Sequence, residues 1–133
     1  MILVDTNVFV DVWTGDPQWG AWSERALARA AERGQIAINP IIYAELCIGF
    51  ARESDLDRTL AEAGVRRLPL PFAAAWHASR AFASYRGRGG RRTAPLPDFF
   101  IGAHALVEEL TLLTRDARRY RTYFPGIRVI APE

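Results

Sequence analysis

Four carboxylates occupy positions where they could do chemistry. Asp5 closes the short apolar run Ile2 to Val4, Asp116 follows the apolar run Leu110 to Thr114 by one residue, and Glu45 and Asp98 sit early in segments with helical character. Each aspartate also has a structural explanation. Asp5 could end a strand, Asp98 could favour the positive end of a helix beginning at Pro97, and Asp116 could cap a short turn after Arg115. Glu45 is the only charged residue between Ile41 and Phe50, and at 100° per residue it shares a face with Ile41, Ala44 and Ile48. A carboxylate carried inward on an apolar helix needs a cation or strong donors, so the alternatives for Glu45 are a buried pair with arginine or a functional site.

Magnitude decides what such acids require if they converge. Two carboxylates about 4 Å apart repel by about 4 kcal/mol at an effective dielectric near 20, and a whole domain is stable by only about 5 to 15 kcal/mol. Either some are protonated or a divalent cation fills the pocket. Oxygen ligands without a cysteine or histidine cluster suit Mg²⁺ or Mn²⁺, and hydrolysis of a phosphodiester is the obvious use of such a site.

The elements that must position these residues follow from periodicity. Ile2 to Asp5 reads as a buried strand followed by a helix start, with a helix from Val8 to Trp13 stopping near Gly15 and Pro17. Trp19 to Arg33 has helical spacing and ends before Gly34; Ile36 to Ile38 is the next strand. Asn39-Pro40 forms a cap with proline at the first helical position, opening a helix to about Ala51, and Ser54 to Ala63 makes another, closed by Gly64. Val65 to Leu70 is a strand, Phe72 to Tyr85 and Pro97 to Glu109 are helices, and Leu110 to Thr114 and Ile127 to Ile130 are the last strands. The alternation predicts an α/β fold around a mainly parallel central sheet flanked by helices, where ligands bind beyond the carboxyl ends of strands.

Composition narrows the chemistry. A chain of 133 residues, half of them hydrophobic, suits a single domain over residues 1–133. Cys47 is the only cysteine, which excludes an internal disulfide and zinc spacings, and with no apolar run of about 18 residues a cytoplasmic protein with neither leader nor membrane span is expected. All 17 basic residues are arginine, so neither a P-loop lysine nor a Schiff-base amine is available. Setting the four acids aside leaves eleven of fifteen carboxylates against 17 arginines, a surface more basic than the net charge of +2 suggests and suited to polyanions.

The segments MILVDTNVFVD, NPIIYAELCIG, LPDFFIGAHA and LLTRDARRY, in that order and spanning essentially the whole chain, resemble the PIN-domain family, specifically the VapC-type toxins of bacterial toxin–antitoxin pairs. That resemblance implies a PIN-like parallel sheet, Mg²⁺ or Mn²⁺ at the acids, cleavage of RNA leaving a 5′-phosphate, inhibition by a small antitoxin partner, and a homodimer. Carried over by position, Asp5, Glu45 and Asp98 match the principal metal-site acids and Asp116 the fourth, while Thr6, Asn7 and Thr114 match hydroxyl or amide positions that support them. Phe99, Phe100 and His104 depart from the small residues usual there; His104, about 120° around the helix from Asp98, suits packing or surface better than catalysis.

Around these acids lie candidate binding residues. Arg86, Arg88, Arg91 and Arg92 fall in a glycine-containing loop leading towards Asp98 and could clamp RNA phosphates, or form only a solvated loop. Arg115, Arg118, Arg119 and Arg121 cluster beside Asp116, where some could simply hold carboxylates. Trp13, Trp19 and Trp22 suit core packing or a groove for an antitoxin helix. Two rivals to a metal-dependent endoribonuclease are considered: a catalytically silent PIN-like scaffold, and an aspartyl phosphatase suggested by Asp5-Thr6-Asn7-Val8. The phosphatase lacks its second aspartate, carrying Asn7 there, and has no lysine to assist phosphate.

Overall fold

The computed structural model describes residues 1–92 and 96–133. Among the described residues twelve elements follow in chain order: β1 (Ile2–Val4), α1 (Thr6–Thr14), α2 (Gly20–Arg33), β2 (Ile36–Ile38), α3 (Pro40–Cys47), α4 (Glu53–Glu62), β3 (Arg66–Arg67), α5 (Phe72–Gly87), α6 (Pro97–Val107), β4 (Thr111–Leu113), α7 (Arg118–Tyr123) and β5 (Val129–Ile130). The five strands pair in parallel in the order β3-β2-β1-β4-β5. The expected α/β architecture with a parallel sheet is what the chain forms.

Strands covered on both faces must be apolar throughout, and the buried triplets Ile2-Leu3-Val4 and Ile36-Ala37-Ile38 meet that demand at the centre of the sheet. The strand order turns at β1, which lies between β2 and β4, so the crevice beyond the carboxyl ends of β1 and β4 is the switch point where an open sheet offers a ligand site. Asp5 follows β1 and Thr114 follows β4 there, joined by a hydrogen bond from the Asp5 N–H to the Leu113 carbonyl at 2.8 Å. α6 brings Asp98 to the same end. It packs so closely on the ring of Phe124 that a Cβ at Gly102 would lie 2.4 Å from it.

Differences from the sequence-based boundaries have local causes. α1 begins at Thr6 because Asp5 itself caps it. α3 ends at Cys47 rather than Ala51, since Gly49 follows, and prolines at 69 and 71 leave only Arg66–Arg67 of the longer expected strand. α7 stands where the sequence predicts only a turn after Arg115; Ala117, Tyr120 and Phe124, at helical spacing, form the buried side of this segment. Among the described residues no helix is long and apolar enough to cross a membrane.

Candidate active site

Asp5 is held at the first turn of α1 by its own role as cap. Its backbone is extended, and Oδ1 accepts the Thr6 N–H at 2.8 Å. Oδ2 accepts from the hydroxyls of Thr114 at 2.8 Å and Tyr120 at 3.0 Å, with the Asn7 amide farther off at 3.4 Å. The side chain is almost entirely covered, at 5% exposure, yet among the described residues no arginine or histidine pairs with it. Burial therefore pushes its carboxyl from 3.8 up to about 6; the Thr114 hydrogen bond opposes the rise and the nearby Asp98 charge adds to it.

Tyr120 of α7 connects Asp5 to Asp98. Its hydroxyl lies 3.0 Å from Asp5 and 3.4 Å from Asp98, and burial, followed by the charges of both acids and of Glu45, keeps it protonated well above the usual phenol range. Asp98 sits at the second position of α6, just after Pro97. Burial raises its carboxyl, and Arg119, whose Nη1 is 3.4 Å away, opposes that rise. Asp98 and Asp116 together line an open hollow of about 480 Å³, along with Tyr85, Arg118, Arg119 and Tyr123.

Thr6, Asn7 and Thr114 all lie against the acids. The Thr6 hydroxyl donates to Glu45 at 2.7 Å; the Asn7 side-chain Oδ1 accepts the Arg115 backbone N–H at 3.0 Å. Thr114 Oγ1 receives the Asp116 N–H at 3.1 Å while donating to Asp5, so one hydroxyl fixes the turn and the acid together. Glu45 itself corrects the helical-face argument. Ile42 and Leu46 form the buried side of α3, whereas Ala44 is exposed and Ile48 is 87% exposed, so Glu45 lies half-buried at the rim instead of being carried into the core.

The donor set is consistent with a hard cation. All four groups offer oxygen, the Asp98 charge disfavours ionisation of Asp5 and the Asp116 charge that of Asp98, and Asp5 is buried without a positive partner. Among the described residues, however, no three carboxylate, histidine or cysteine side chains are gathered closely enough to hold a metal.

The other candidates separate into different environments. Arg115 grips Asp11 through two bonds, Nε at 3.0 Å and Nη2 at 3.2 Å, and lies 5.9 Å from the centroid of the Trp19 ring, so it is a carboxylate's partner and not a free phosphate ligand. Arg86 donates to the Arg92 carbonyl at 2.7 Å, and Arg88 stacks 5.3 Å over Tyr123 at the hollow's edge; Arg91 and Arg92 are exposed. Residues 93–95, through which that loop continues towards Asp98, lie outside the described residues. Trp13 packs against Phe9 and Phe50, while Trp22 lines a separate cavity.

Sequence reasoning missed Tyr120, Arg119 as the partner of Asp98, and Asp11. The rule that singled out Glu45 applies equally to Asp11, the only charged residue from Val8 to Trp13, and would have flagged it. His104, expected in packing or at the surface, is wholly buried. Its Nδ1 is 3.0 Å from the Asn39 amide, whose Oδ1 caps α3 through the Ile42 N–H, and burial holds the imidazole below its usual range. The Glu108 carboxylate lies 3.4 Å from Nε2 without hydrogen-bonding geometry. His104 thus ties α6, which carries Asp98, to the start of α3, which carries Glu45.

The comparisons with known proteins agree with this architecture. The profile of the PIN domain matches residues 2–125. No curated protein matches the chain. Among solved structures, VapBC2 from Rickettsia felis bound to a promoter DNA fragment is similar at 21% identity, with all of both chains covered and a TM-score of 0.75. DNA-bound VapBC from Salmonella typhimurium is 24% identical, with 98% of this chain and 96% of that chain covered and a TM-score of 0.70. A toxin-antitoxin complex from Klebsiella pneumoniae is 26% identical over 100% of this chain and 98% of that chain, with a TM-score of 0.66.

Proposed function

Because this chain belongs to the PIN-domain family, we propose that it is the endoribonuclease toxin of a toxin–antitoxin pair, with residues 1–133 acting as one cytoplasmic nuclease unit that forms a homodimer. The observation that carries this is Asp5: a carboxylate buried at the switch point of the sheet, braced by two hydroxyls and an N–H, with no cationic partner among the described residues. The similar structures include a toxin-antitoxin complex, which supports an antitoxin as partner.

Asp5, Glu45, Asp98 and Asp116 would hold Mg²⁺ or Mn²⁺. Such an ion supplies positive charge against the scissile phosphate and lowers the pKa of a water. The chain's own contribution is orientation. Thr114 and Tyr120 fix one oxygen of Asp5, leaving its remaining lone pairs for a ligand, and Thr6 aims Glu45. Arg119, only loosely engaged with Asp98 at 3.4 Å, can turn to a substrate phosphate once another positive charge satisfies that acid. A silent scaffold would instead keep Arg119 as the permanent neutraliser of Asp98.

Purified protein, freed of any antitoxin, is incubated with a mixed tRNA and ribosomal RNA pool in Mg²⁺ or Mn²⁺, beside EDTA and Asp98→Asn controls. Discrete cuts lost in both controls are expected. Cuts surviving in Asp98→Asn, or a folded protein that cuts nothing, would count against a nuclease and for the scaffold.

A further inference from the structure

α2 carries Arg25, Arg29 and Arg33 at four-residue intervals, which places them on one face of the helix. With Trp22 they line a cavity of about 490 Å³ whose opposite wall is Ile130 to Glu133. Among the described residues none of these arginines makes an ion pair, and Glu133 is the one acid in the lining; Glu24 and Glu32 of α2 do not contribute to it. Among the described residues Arg58, Arg67, Arg115 and Arg119 make ion pairs; what sets the α2 row apart is that three arginines of one helix face line a single cavity. An unpaired row facing a groove is built for an anion from outside.

One wall of the groove begins at the carboxyl edge of the sheet. Ile130 pairs in register with Leu113, the residue before Thr114. At the start of α2, Trp19 lies beneath Arg115, the chain neighbour of Asp116. From there the helix leads away with Trp22 and then the three arginines. At 1.5 Å rise per residue the arginines succeed one another by about 6 Å, comparable to the spacing of phosphates on an extended single strand. Arginine's fork matches phosphate oxygens, and a half-buried tryptophan at the near end offers a base a ring to stack on.

We infer that the face of α2 bearing Trp22, Arg25, Arg29 and Arg33 is a track for the sugar-phosphate backbone of single-stranded RNA flanking the cleaved bond. This rests on the ribonuclease function proposed above and assigns that function a substrate requirement: length beyond the scissile site. An acidic protein segment is the competing occupant. It fits the charge as well, and binding of an acidic peptide separates it from RNA in the test below.

The test uses the full chain with Asp98→Asn, so that binding is read without cleavage, and follows anisotropy of labelled single-stranded RNAs of four and twelve nucleotides across a salt series. Adding Arg25→Gln, Arg29→Gln and Arg33→Gln should weaken the longer RNA about tenfold or more and lower its salt slope by about 2, at roughly 0.7 for each phosphate no longer neutralised. The weakening should be confined to the longer RNA. The corresponding lysine substitutions, which report any damage to the fold, should retain most of the slope. Equal affinity and slope in the glutamine variant would overturn the track, and loss of binding to a poly-glutamate peptide in its place would assign the face to protein. If the Asp98→Asn parent binds neither RNA, the nuclease proposal falls and the track with it.

Discussion

Asp5 and Asp11 lie six residues apart, at the cap and in the body of α1, and both are buried, at 5% and 2% exposure. Asp11 is answered within the chain: Arg115 meets both its oxygens and the Ser23 hydroxyl donates at 2.9 Å. Among the described residues Asp5 has only neutral donors, and its carboxyl rises to about 6. Burial costs a carboxylate its hydration wherever it occurs. What distinguishes the two is that the molecule supplies a cation in one place and withholds it in the other. A buried acid with a built-in partner reads as architecture, and one without reads as a site awaiting a positive ligand.

Removing the cation from the compensated acid should have the largest effect. Arg115→Ala leaves Asp11 buried and unpaired, and should destabilise the fold by about 3 kcal/mol, the low end for breaking such pairs because Arg115 remains about a third exposed. Urea unfolding measures it. Adding Asp11→Asn should restore much of the stability, since a neutral amide can be satisfied by Ser23. If the double variant is as unstable as Arg115→Ala, the damage lies in the missing packing against Trp19 and the pair is not the cause.

At the uncompensated acid the sign reverses. A carboxyl raised from 3.8 to about 6 binds more protons folded than unfolded, so Asp5 lowers stability progressively as pH climbs through that window and costs about 3 kcal/mol above it. Asp5→Asn removes this dependence and keeps a good helix cap. In metal-free buffer at pH 7 the variant should be more stable than the parent by about 2 kcal/mol, less than the full linkage because one acceptor oxygen replaces two. The difference should vanish near pH 4. Mn²⁺ at about a hundred times its dissociation constant should return about 2.7 kcal/mol to the parent alone. A parent that is the more stable protein at pH 7 without metal would erase the distinction between the two aspartates.

How much of this was legible depended on whether the signal was local. Asp5, Asn39 and Pro40 announce helix starts through their own chemistry, and the apolar triplets of β1 and β2 require burial on both faces. Asp98 and Asp116 became recognisable through the segments around them, which match the PIN family. Tyr120 was not legible, because its hydrogen bonds to Asp5 and Asp98 span 115 and 22 residues and start from α7, a helix of only six residues. Pairing was equally hidden. Nothing in TRDARR says that the first arginine reaches back 104 residues to Asp11 while the last turns to Asp98. The exposed apolar face of α3 around Ile48 misled the helical-wheel argument, which assumes that apolar residues mark the inside.

Tyr120→Phe should sharpen the comparison with the smallest effect. The substitution keeps the ring and its packing, removes one donor from Asp5, and leaves the Thr114 hydroxyl and Thr6 N–H in place. Stability should change by no more than about 1 kcal/mol. Because that hydroxyl favours the ionised carboxylate, Asp5 should titrate higher without it, and metal affinity at pH 7 should fall about tenfold, as for other groups that orient a ligand. Cleavage should then recover at higher Mn²⁺ or higher pH. An unchanged Mn²⁺ midpoint with a reduced maximal rate would mean that the hydroxyl serves the substrate, and that Asp5 is held ready by Thr114 and its cap alone.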